Sequence, residues 1–260
     1  MRFERTVFSH LFIFLVSILT AASSAADTVH IAVASNFTTT MKTLIAEFEK
    51  DSTHTIKASY GSSGKIYAQI KHGAPFELFF SADQTKPLAL YNEGLSTSKP
   101  FTYALGALAL MPRNGLSDKD LLNRLYSGQF NKLAIANPKL APYGVASMEV
   151  LANLNLIDST QAKWVKGENI AQTYQFVGTG NADLGFVALS QVINRSTYWP
   201  VPTDLYQPIR QDAVLLKNSA EVKSAINEFI LFLASPKGHF VIQSYGYGLP
   251  NQQEVSDKNI

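Results

Sequence analysis

Residues 28 to 48 read TVHIAVASNFTTTMKTLIAEF, and the hydrophobic period of this stretch changes once, at the turn around Ser35. Before the turn, Val29, Ile31 and Val33 occupy alternate positions, which is typical of a β-strand. After the turn, apolar residues recur three and four positions apart, which predicts a helix with one buried face: Phe37, Met41, Leu44, Ile45 and Phe48. A strand that leads directly into an amphipathic helix is the building unit of α/β proteins.

The same unit is repeated further along the chain. A strand through Ile56 to Tyr60 meets the turn Gly61-Ser62-Ser63-Gly64, and Ile66 and Ile70 then lie four positions apart on a short helix. Leu78 to Phe80 is a compact apolar run of the kind found at the centre of a covered sheet. We therefore expect an α/β fold of mainly parallel sheets flanked by helices.

The pattern starts again after Gly106, which interrupts the strand from Tyr103 to Met111. The sequence predicts a strand at Leu133 to Ala136, a proline-bounded loop at 137–144 with a helix from Val145, and a helix capped by Asn169. We expect two lobes of the type II periplasmic binding protein kind, with 27–105 and 209–260 in lobe I and 106–208 in lobe II. A cleft between two α/β lobes is a common place for a small ligand.

The N-terminus has the features of an export signal. Arg2 and Arg5 precede an apolar stretch from Val7 to Leu19, and small residues follow up to Ala26. This predicts a signal peptide over residues 1–26 and a periplasmic protein. The apolar stretch is shorter than the roughly 20 residues of a membrane-spanning helix, and the absence of cysteine excludes a disulfide frame.

Charge argues against a nucleic-acid partner. Lys and Arg number 22 and Asp and Glu number 20, so the formal net charge is +2, and no basic runs occur. Affinity for nucleic acid depends on clustered Lys and Arg. Five histidines without metal-ligand spacing also make a metal site built from protein side chains an unfavoured interpretation.

Two turns carry the residue types that an anion needs, namely Ala34-Ser35-Asn36-Phe37 and Gly61-Ser62-Ser63-Gly64. Each ends a strand and opens a helix, where unpaired N–H groups and the helix dipole favour negative charge. Ser and Asn add donors without adding charge. Two such turns brought together would form a pocket of hydrogen-bond donors.

Several longer motifs extend this pattern: the segment GAPFELFFSAD at 73–83, Asn137-Pro138 with Ala141-Pro142-Tyr143-Gly144, ADLGFV at 182–187, and Gly246 to Pro250. With these motifs, the chain from about Val29 to Pro250 resembles the periplasmic molybdate-binding proteins of ABC transporters, a branch of the type II solute-binding superfamily. The resemblance implies a non-enzymatic receptor, expected to be a monomer. It would bind molybdate or tungstate, require no cofactor, and deliver the anion to a membrane permease.

The resemblance also implies a set of ligand-binding residues: Ser35, Asn36, Ser63, Tyr143 and Ile170. Lobe I would contribute the hydroxyls of Ser35 and Ser63 and the amide of Asn36. Lobe II would contribute Tyr143 and the backbone N–H of Ile170. Ala188 stands where some family members have a tyrosine, so the chain resembles the branch with Tyr in the proline-bounded loop.

A pocket of uncharged donors suits molybdate because every oxygen of this tetrahedral dianion only accepts hydrogen bonds. None of the chosen positions is Asp or Glu, so hydrogen phosphate would find no acceptor for its proton. Sulfate has the same charge and shape, and only its smaller size would exclude it.

Three other interpretations stay open at this point. Ser35, Asn36 and Ser63 could serve only as helix caps, which is the usual role of such residues at a strand-to-helix turn. The protein could be a receptor of the same fold for sulfate, phosphate or ferric ion. Ser35 or Ser63 could be the nucleophile of a hydrolase, although no nucleophile-elbow motif surrounds either residue.

Overall fold

The computed structural model describes residues 26–113, 118–217 and 224–250, and within residues 118–120 it describes only the backbone. The predicted signal peptide lies outside the described residues, apart from Ala26. Two five-stranded sheets organise this part of the chain. We call the layers built on the first and second sheets lobe I and lobe II.

The sheet of lobe I has the strand order β2-β1-β3-β10-β4. Its strands are Thr28–Ala34 (β1), Thr55–Gly61 (β2), Leu78–Phe80 (β3), Phe101–Gly106 (β4) and Ile209–Leu215 (β10). β1 runs parallel to β2 and β3, as the alternation of strands and helices predicts, and Ala34 pairs with Gly61 where β1 and β2 end. β10 is antiparallel to both of its neighbours, so the sheet is mixed.

The sheet of lobe II repeats this plan with the order β7-β6-β8-β5-β9. Its strands are Leu108–Pro112 (β5), Leu133–Ala136 (β6), Trp164–Gly167 (β7), Leu184–Ala188 (β8) and Trp199–Pro200 (β9). β6 is parallel to β7 and β8, whereas β5 is antiparallel to β8 and β9. The chain therefore leaves the first sheet after Gly106, enters the second at Leu108, and returns to the first at Ile209.

Helices connect the strands and cover the sheets. In the described residues the α-helices are Thr38–Glu49 (α1), Ser63–Lys71 (α2), Thr85–Asn92 (α3), Asp118–Ser127 (α4), Pro142–Asn153 (α5), Ile157–Thr160 (α6), Ile170–Gly178 (α7), Leu189–Val192 (α8), Ser224–Leu233 (α9) and Pro236–Ser244 (α10). Short 3-10 helices span Ser35–Phe37, Gln161–Lys163 and Thr203–Leu205. None of the helices within the ranges that the structure describes is long and apolar enough to cross a membrane.

The predicted amphipathic face of α1 is confirmed, because Phe37, Met41, Leu44 and Phe48 are buried in the core of lobe I and Ile45 packs against this core while partly buried. The predicted start of the helix after the proline-bounded loop is wrong by three residues. This helix, α5, begins at Pro142 rather than Val145, since proline with its fixed φ is well suited to the first helical position. Tyr143 therefore lies in the first turn of a helix and not in a loop.

Candidate functional site

Four turns that lead from a strand into a helix define the candidate site. The turns after β1 and β2 start side by side, because Ala34 pairs with Gly61 at the ends of these parallel strands. The turns after β6 and β7 start side by side in the same way, because Ala136 pairs with Gly167. All five predicted ligand residues lie in the first helical turns that follow these four strands.

Ser35 is the first residue of the 3-10 helix after β1 and is 6% exposed. Ala34 occupies the cap position of this helix, and no side chain caps it. The capping interpretation of Ser35 is therefore wrong. The hydroxyl of Thr38, one turn further on, donates to the carbonyl oxygen of Ser35 at 2.8 Å and fixes the turn.

Ser63 does not cap a helix either, because that role belongs to the preceding residue. The Oγ of Ser62 accepts a long hydrogen bond, 3.4 Å, from the N–H of Lys65. Ser63 is the first helical residue of α2 and is 1% exposed, and its Oγ accepts a hydrogen bond from the N–H of Ala82 at 2.9 Å. Since that bond uses an oxygen lone pair, the hydroxyl proton of Ser63 stays available for an acceptor.

The side chain of Asn36 is committed within the protein. Its Nδ2 donates to Oε1 of Gln211 at 2.8 Å and to the hydroxyl of Tyr247 at 3.1 Å. These two bonds use both amide hydrogens, so in this arrangement the Asn36 side chain has no donor left over. The side chain holds the turn in place, and the backbone N–H of Asn36 is the group in the turn that stays a candidate donor.

Tyr143 presents two donors at different places. Its backbone N–H is in the first turn of α5, where N–H groups have no intrahelical acceptor. Its hydroxyl lies beside the crossing between the lobes, 3.4 Å from Nε2 of Gln211, where Gly106 leaves room: a Cβ there would be 2.3 Å from the hydroxyl. Burial raises the pKa of the Tyr143 hydroxyl well above its usual value, so this group stays a neutral donor.

Ile170 is the first helical residue of α7, and its side chain is buried in an apolar cluster. Asn169 caps this helix, as predicted, since its Oδ1 accepts from the N–H of Gln172 at 3.0 Å. The cap leaves the N–H of Ile170 as one of the orphan donors at the start of the helix. Only the backbone of Ile170 is placed to serve an anion.

The turns of the two lobes face one another. The N–H of Gly64 donates to the carbonyl oxygen of Leu140 at 2.9 Å, and Nζ of Lys65 is 2.5 Å from Oε2 of Glu168. A Cβ on Gly64 would be 3.0 Å from that carbonyl oxygen, so glycine permits the close approach. One apolar cluster also includes residues of both lobes, among them Ala34, Ala82, Ala141, Tyr143 and Ile170.

The electrostatics of the four turns come from backbone N–H groups and neutral side chains. The positively charged Lys65 is neutralised by Glu168, and both side chains are about half exposed. Within the part of the chain that the structure describes, no three His, Cys, Asp or Glu side chains group so that they could hold a metal ion. The arrangement therefore offers donors and partial positive charge without a formal cation of its own.

Three residues that the sequence did not mark as functional form hydrogen bonds with Asn36: Ser190, Gln211 and Tyr247. Gln211 is fully buried on β10, and Tyr247 packs edge-on against Phe37 with ring centroids 4.8 Å apart. The hydroxyl of Tyr247 donates to the carbonyl oxygen of Asn36 at 2.8 Å. Gln211 stands between Arg210 and Asp212 in β10, so the sequence pattern did not single it out.

Comparisons with known proteins agree with this architecture. A model of the family described as bacterial extracellular solute-binding protein matches residues 29–248. The molybdate-binding protein ModA of Azotobacter vinelandii is 47% identical over 238 residues, which cover 89% of this chain and 94% of that protein. ModA of Rhodobacter capsulatus is 43% identical over 230 residues, 87% of this chain and 90% of its own.

Solved structures give the same result. The periplasmic molybdate-binding protein of Azotobacter vinelandii superimposes with a TM-score of 0.80 and 38% identity, covering 86% of this chain and 100% of that one. The substrate-binding domain of a putative molybdenum ABC transporter from Clostridium difficile gives 0.66 and 27%, covering 87% and 100%. A sulfate-binding protein from Mycobacterium tuberculosis shares the fold, with a TM-score of 0.70, 12% identity, and coverage of 89% and 90%.

Proposed function

We propose that this chain, which belongs to the bacterial extracellular solute-binding proteins, binds molybdate between its two lobes as the receptor of an ABC importer. The observation that carries the proposal is the meeting of four first helical turns, two from each lobe, with no charged side chain at the five ligand positions. The relatives at 43% and 47% identity, both molybdate-binding proteins, support the choice of ligand.

The chemistry of the site matches a fully deprotonated tetrahedral anion. The hydroxyls of Ser35 and Ser63 and the backbone N–H of Asn36 would donate from lobe I, and Tyr143 and the N–H of Ile170 would donate from lobe II. Helix N-termini carry partial positive charge, so the two negative charges are compensated without a salt bridge. Tungstate has the same shape and charge, and we expect it to bind comparably.

Selectivity follows from the same donor set. Hydrogen phosphate carries a proton that needs an acceptor, and the five ligand positions include no carboxylate. Sulfate is smaller than molybdate and would reach fewer of the donors that line a pocket of fixed size. We therefore expect both anions to bind more weakly than molybdate, sulfate because of size and phosphate because of its proton.

The same proposal covers the cellular role. The protein would act in the periplasm after removal of residues 1–26, would require no cofactor, and would deliver its anion to a membrane permease without catalysing a reaction. The hydrolase alternative has less support, because the described partner of the Ser63 hydroxyl is the N–H of Ala82 rather than a histidine.

Calorimetric titration of the purified protein with molybdate, tungstate, sulfate and phosphate tests the proposal. We expect saturable binding of the first two anions with one site per chain, and much weaker heats for the other two. Saturable binding of sulfate or phosphate with no response to molybdate would replace the proposed ligand within the same fold. No response to any of the four would overturn the proposed function.

A further inference from the structure

A buried polar network lies behind the Ser35–Asn36 turn. It comprises six side chains from separate segments of the chain: Asn36, Tyr103, Tyr143, Ser190, Gln211 and Tyr247. We call this set the seam network, because Tyr143 and Ser190 belong to lobe II and the other members to lobe I.

Asn36 is the most restrained member of the seam network. Its amide group donates to Gln211 and to Tyr247, as described above. Its carbonyl oxygen accepts from the hydroxyl of Tyr247 at 2.8 Å and from that of Ser190 at 3.2 Å. Four hydrogen bonds therefore fix both the side chain and the backbone of Asn36, and with them the direction of the donors in the turn.

Gln211 connects the Ser35–Asn36 turn to the opposite lobe. Its Oε1 accepts from Nδ2 of Asn36 and lies 3.0 Å from the hydroxyl of Tyr103, so its Nε2 is directed to the hydroxyl of Tyr143. A Cβ at Gly106 would be 2.6 Å from this Nε2, which means that glycine at the crossing makes room for the contact. The side chain is fully buried, and a lost partner would leave a polar group without water.

Three contacts of the network join the two lobes. Ser190 of α8 approaches Asn36 and is 2.9 Å from the hydroxyl of Tyr247, and Tyr143 of α5 approaches Gln211. Opening of the cleft would separate these pairs, because their members belong to different lobes. The restraint on Asn36 is therefore complete only in the closed arrangement.

We propose that Tyr247 and Gln211 are positioning residues that aim the Ser35–Asn36 turn at the bound anion, and that the lobe II contact of Ser190 with this turn couples their action to closure. The inference rests on the proposed function, since it assigns a task within the same site. Neither residue is assigned a contact with the anion.

Tyr247→Phe is the direct test, because phenylalanine keeps the ring that packs on Phe37 and removes only the hydroxyl. The substitution removes both hydrogen bonds between this hydroxyl and Asn36 and leaves one amide hydrogen of Asn36 without its acceptor, so we expect the affinity for molybdate to fall about tenfold. Tyr245→Phe is the matched control. The hydroxyl of Tyr245 bonds Oγ1 of Thr43 at 2.8 Å within lobe I, so its loss should leave affinity within twofold.

Ser190→Ala tests the coupling to closure. It removes the contact of lobe II with the carbonyl oxygen of Asn36 and leaves the partners of that atom within lobe I in place. We expect faster dissociation of molybdate in stopped-flow measurements, by several-fold, with little change in the association rate. All affinities are measured at least 20 °C below the unfolding midpoint of each variant, so a loss of stability alone does not alter them.

Equal molybdate affinities for Tyr247→Phe and Tyr245→Phe would overturn the positioning role while leaving the proposed function intact. An unchanged dissociation rate for Ser190→Ala would overturn the coupling. If the unmodified protein binds sulfate or phosphate instead of molybdate, the same ratios are measured with that anion, and the ligand is wrong while the network is still tested. If it binds none of the four anions, both proposals fail together.

Discussion

The two lobes differ in the kind of donor that we propose for each. Lobe I would contribute the hydroxyls of Ser35 and Ser63, which depend on the residue type at those positions. Lobe II would contribute backbone N–H groups at Tyr143 and Ile170; the side chain of Ile170 packs in the core, and the hydroxyl of Tyr143 lies beside Gln211. The difference teaches that one half of an anion site can depend on the types of residue present, and the other half on where helices begin.

The largest expected effect is on stability and concerns Tyr247, whose hydroxyl lies where the two lobes meet. Burial raises the pKa of the Tyr247 hydroxyl to about 12, whereas an unfolded tyrosine ionises near pH 10. Ionisation of this tyrosine therefore favours the unfolded chain between pH 10 and 12. The contribution of the neutral hydroxyl to the free energy of unfolding is complete below pH 10 and is lost as the pH rises to 12. At about 1.4 kcal/mol per pKa unit, the loss is about 3 kcal/mol.

Denaturant unfolding between pH 8 and 12 measures this loss, and Tyr247→Phe provides the comparison. The variant is less stable at pH 8 but should lose less of its stability as pH rises, because it lacks one buried phenol. Parallel pH curves for the variant and the unmodified protein would contradict the expectation.

Ser63→Ala tests the donors of lobe I, because it removes one of the two side-chain hydroxyls proposed to bind the anion. It removes one hydrogen bond to a charged ligand, worth about 1.5 to 3 kcal/mol, so molybdate affinity should fall about ten- to 150-fold. Ser62→Ala is the control, since the neighbouring hydroxyl caps α2 and should affect stability by about 1 kcal/mol rather than affinity. Calorimetric titration separates the two, and an unchanged affinity for Ser63→Ala would mean that the site is misplaced.

The sequence predicts much of lobe I but less of lobe II, for physical reasons. The change of hydrophobic period at Ser35 is local, and so the strand, the turn and the buried face of α1 can all be inferred from it. In lobe II, Asn169 marks the start of α7, but the predicted start of α5 is three residues later than Pro142. The backbone N–H groups of Tyr143 and Ile170 have no side-chain signal of their own. Only the resemblance to a known family pointed to Ile170.

Long-range pairing was also out of reach. The antiparallel direction of β10 depends on how the chain returns from lobe II, and no local pattern around Ile209 encodes it. The hydrogen bonds of Gln211 and Tyr247 to Asn36 join residues 175 and 211 positions apart. Only the fold brings the hydroxyl of Tyr247 beside Asn36.

A smaller effect, on the rate of molybdate release, is expected from the ion pair that joins the two lobes at the surface. Lys65→Ala removes the ion pair with Glu168 and should speed molybdate release by up to about fivefold, because half-exposed pairs contribute about 0.2 to 1 kcal/mol. The effect should shrink as salt is added. Lys71→Ala is matched to it, since its partner Glu93 lies within lobe I. Equal release rates for both variants would contradict a role of Lys65 across the seam.

The smallest expected effect on affinity tests whether lobe II uses the backbone of Ile170 and not its side chain. Ile170→Val keeps the backbone N–H and trims a buried side chain, so it should destabilise the fold by about 0.5 to 1.5 kcal/mol while leaving molybdate affinity within twofold. Thermal unfolding and titration on the same sample give both quantities. A tenfold loss of affinity would show that the side chain, and not the backbone alone, shapes the pocket.

The hydrogen bond between Asn36 and Tyr247 has a consequence for the order of assembly. The two residues are 211 positions apart, so this bond requires the C-terminal segment to be present and the long loop between them to be closed. A chain that ends before Tyr247 would hold Asn36 through fewer hydrogen bonds, and we expect it to bind the anion more weakly. Bound anion, which stabilises only the conformation that binds it, would then protect finished receptors from proteolysis and leave incomplete ones exposed.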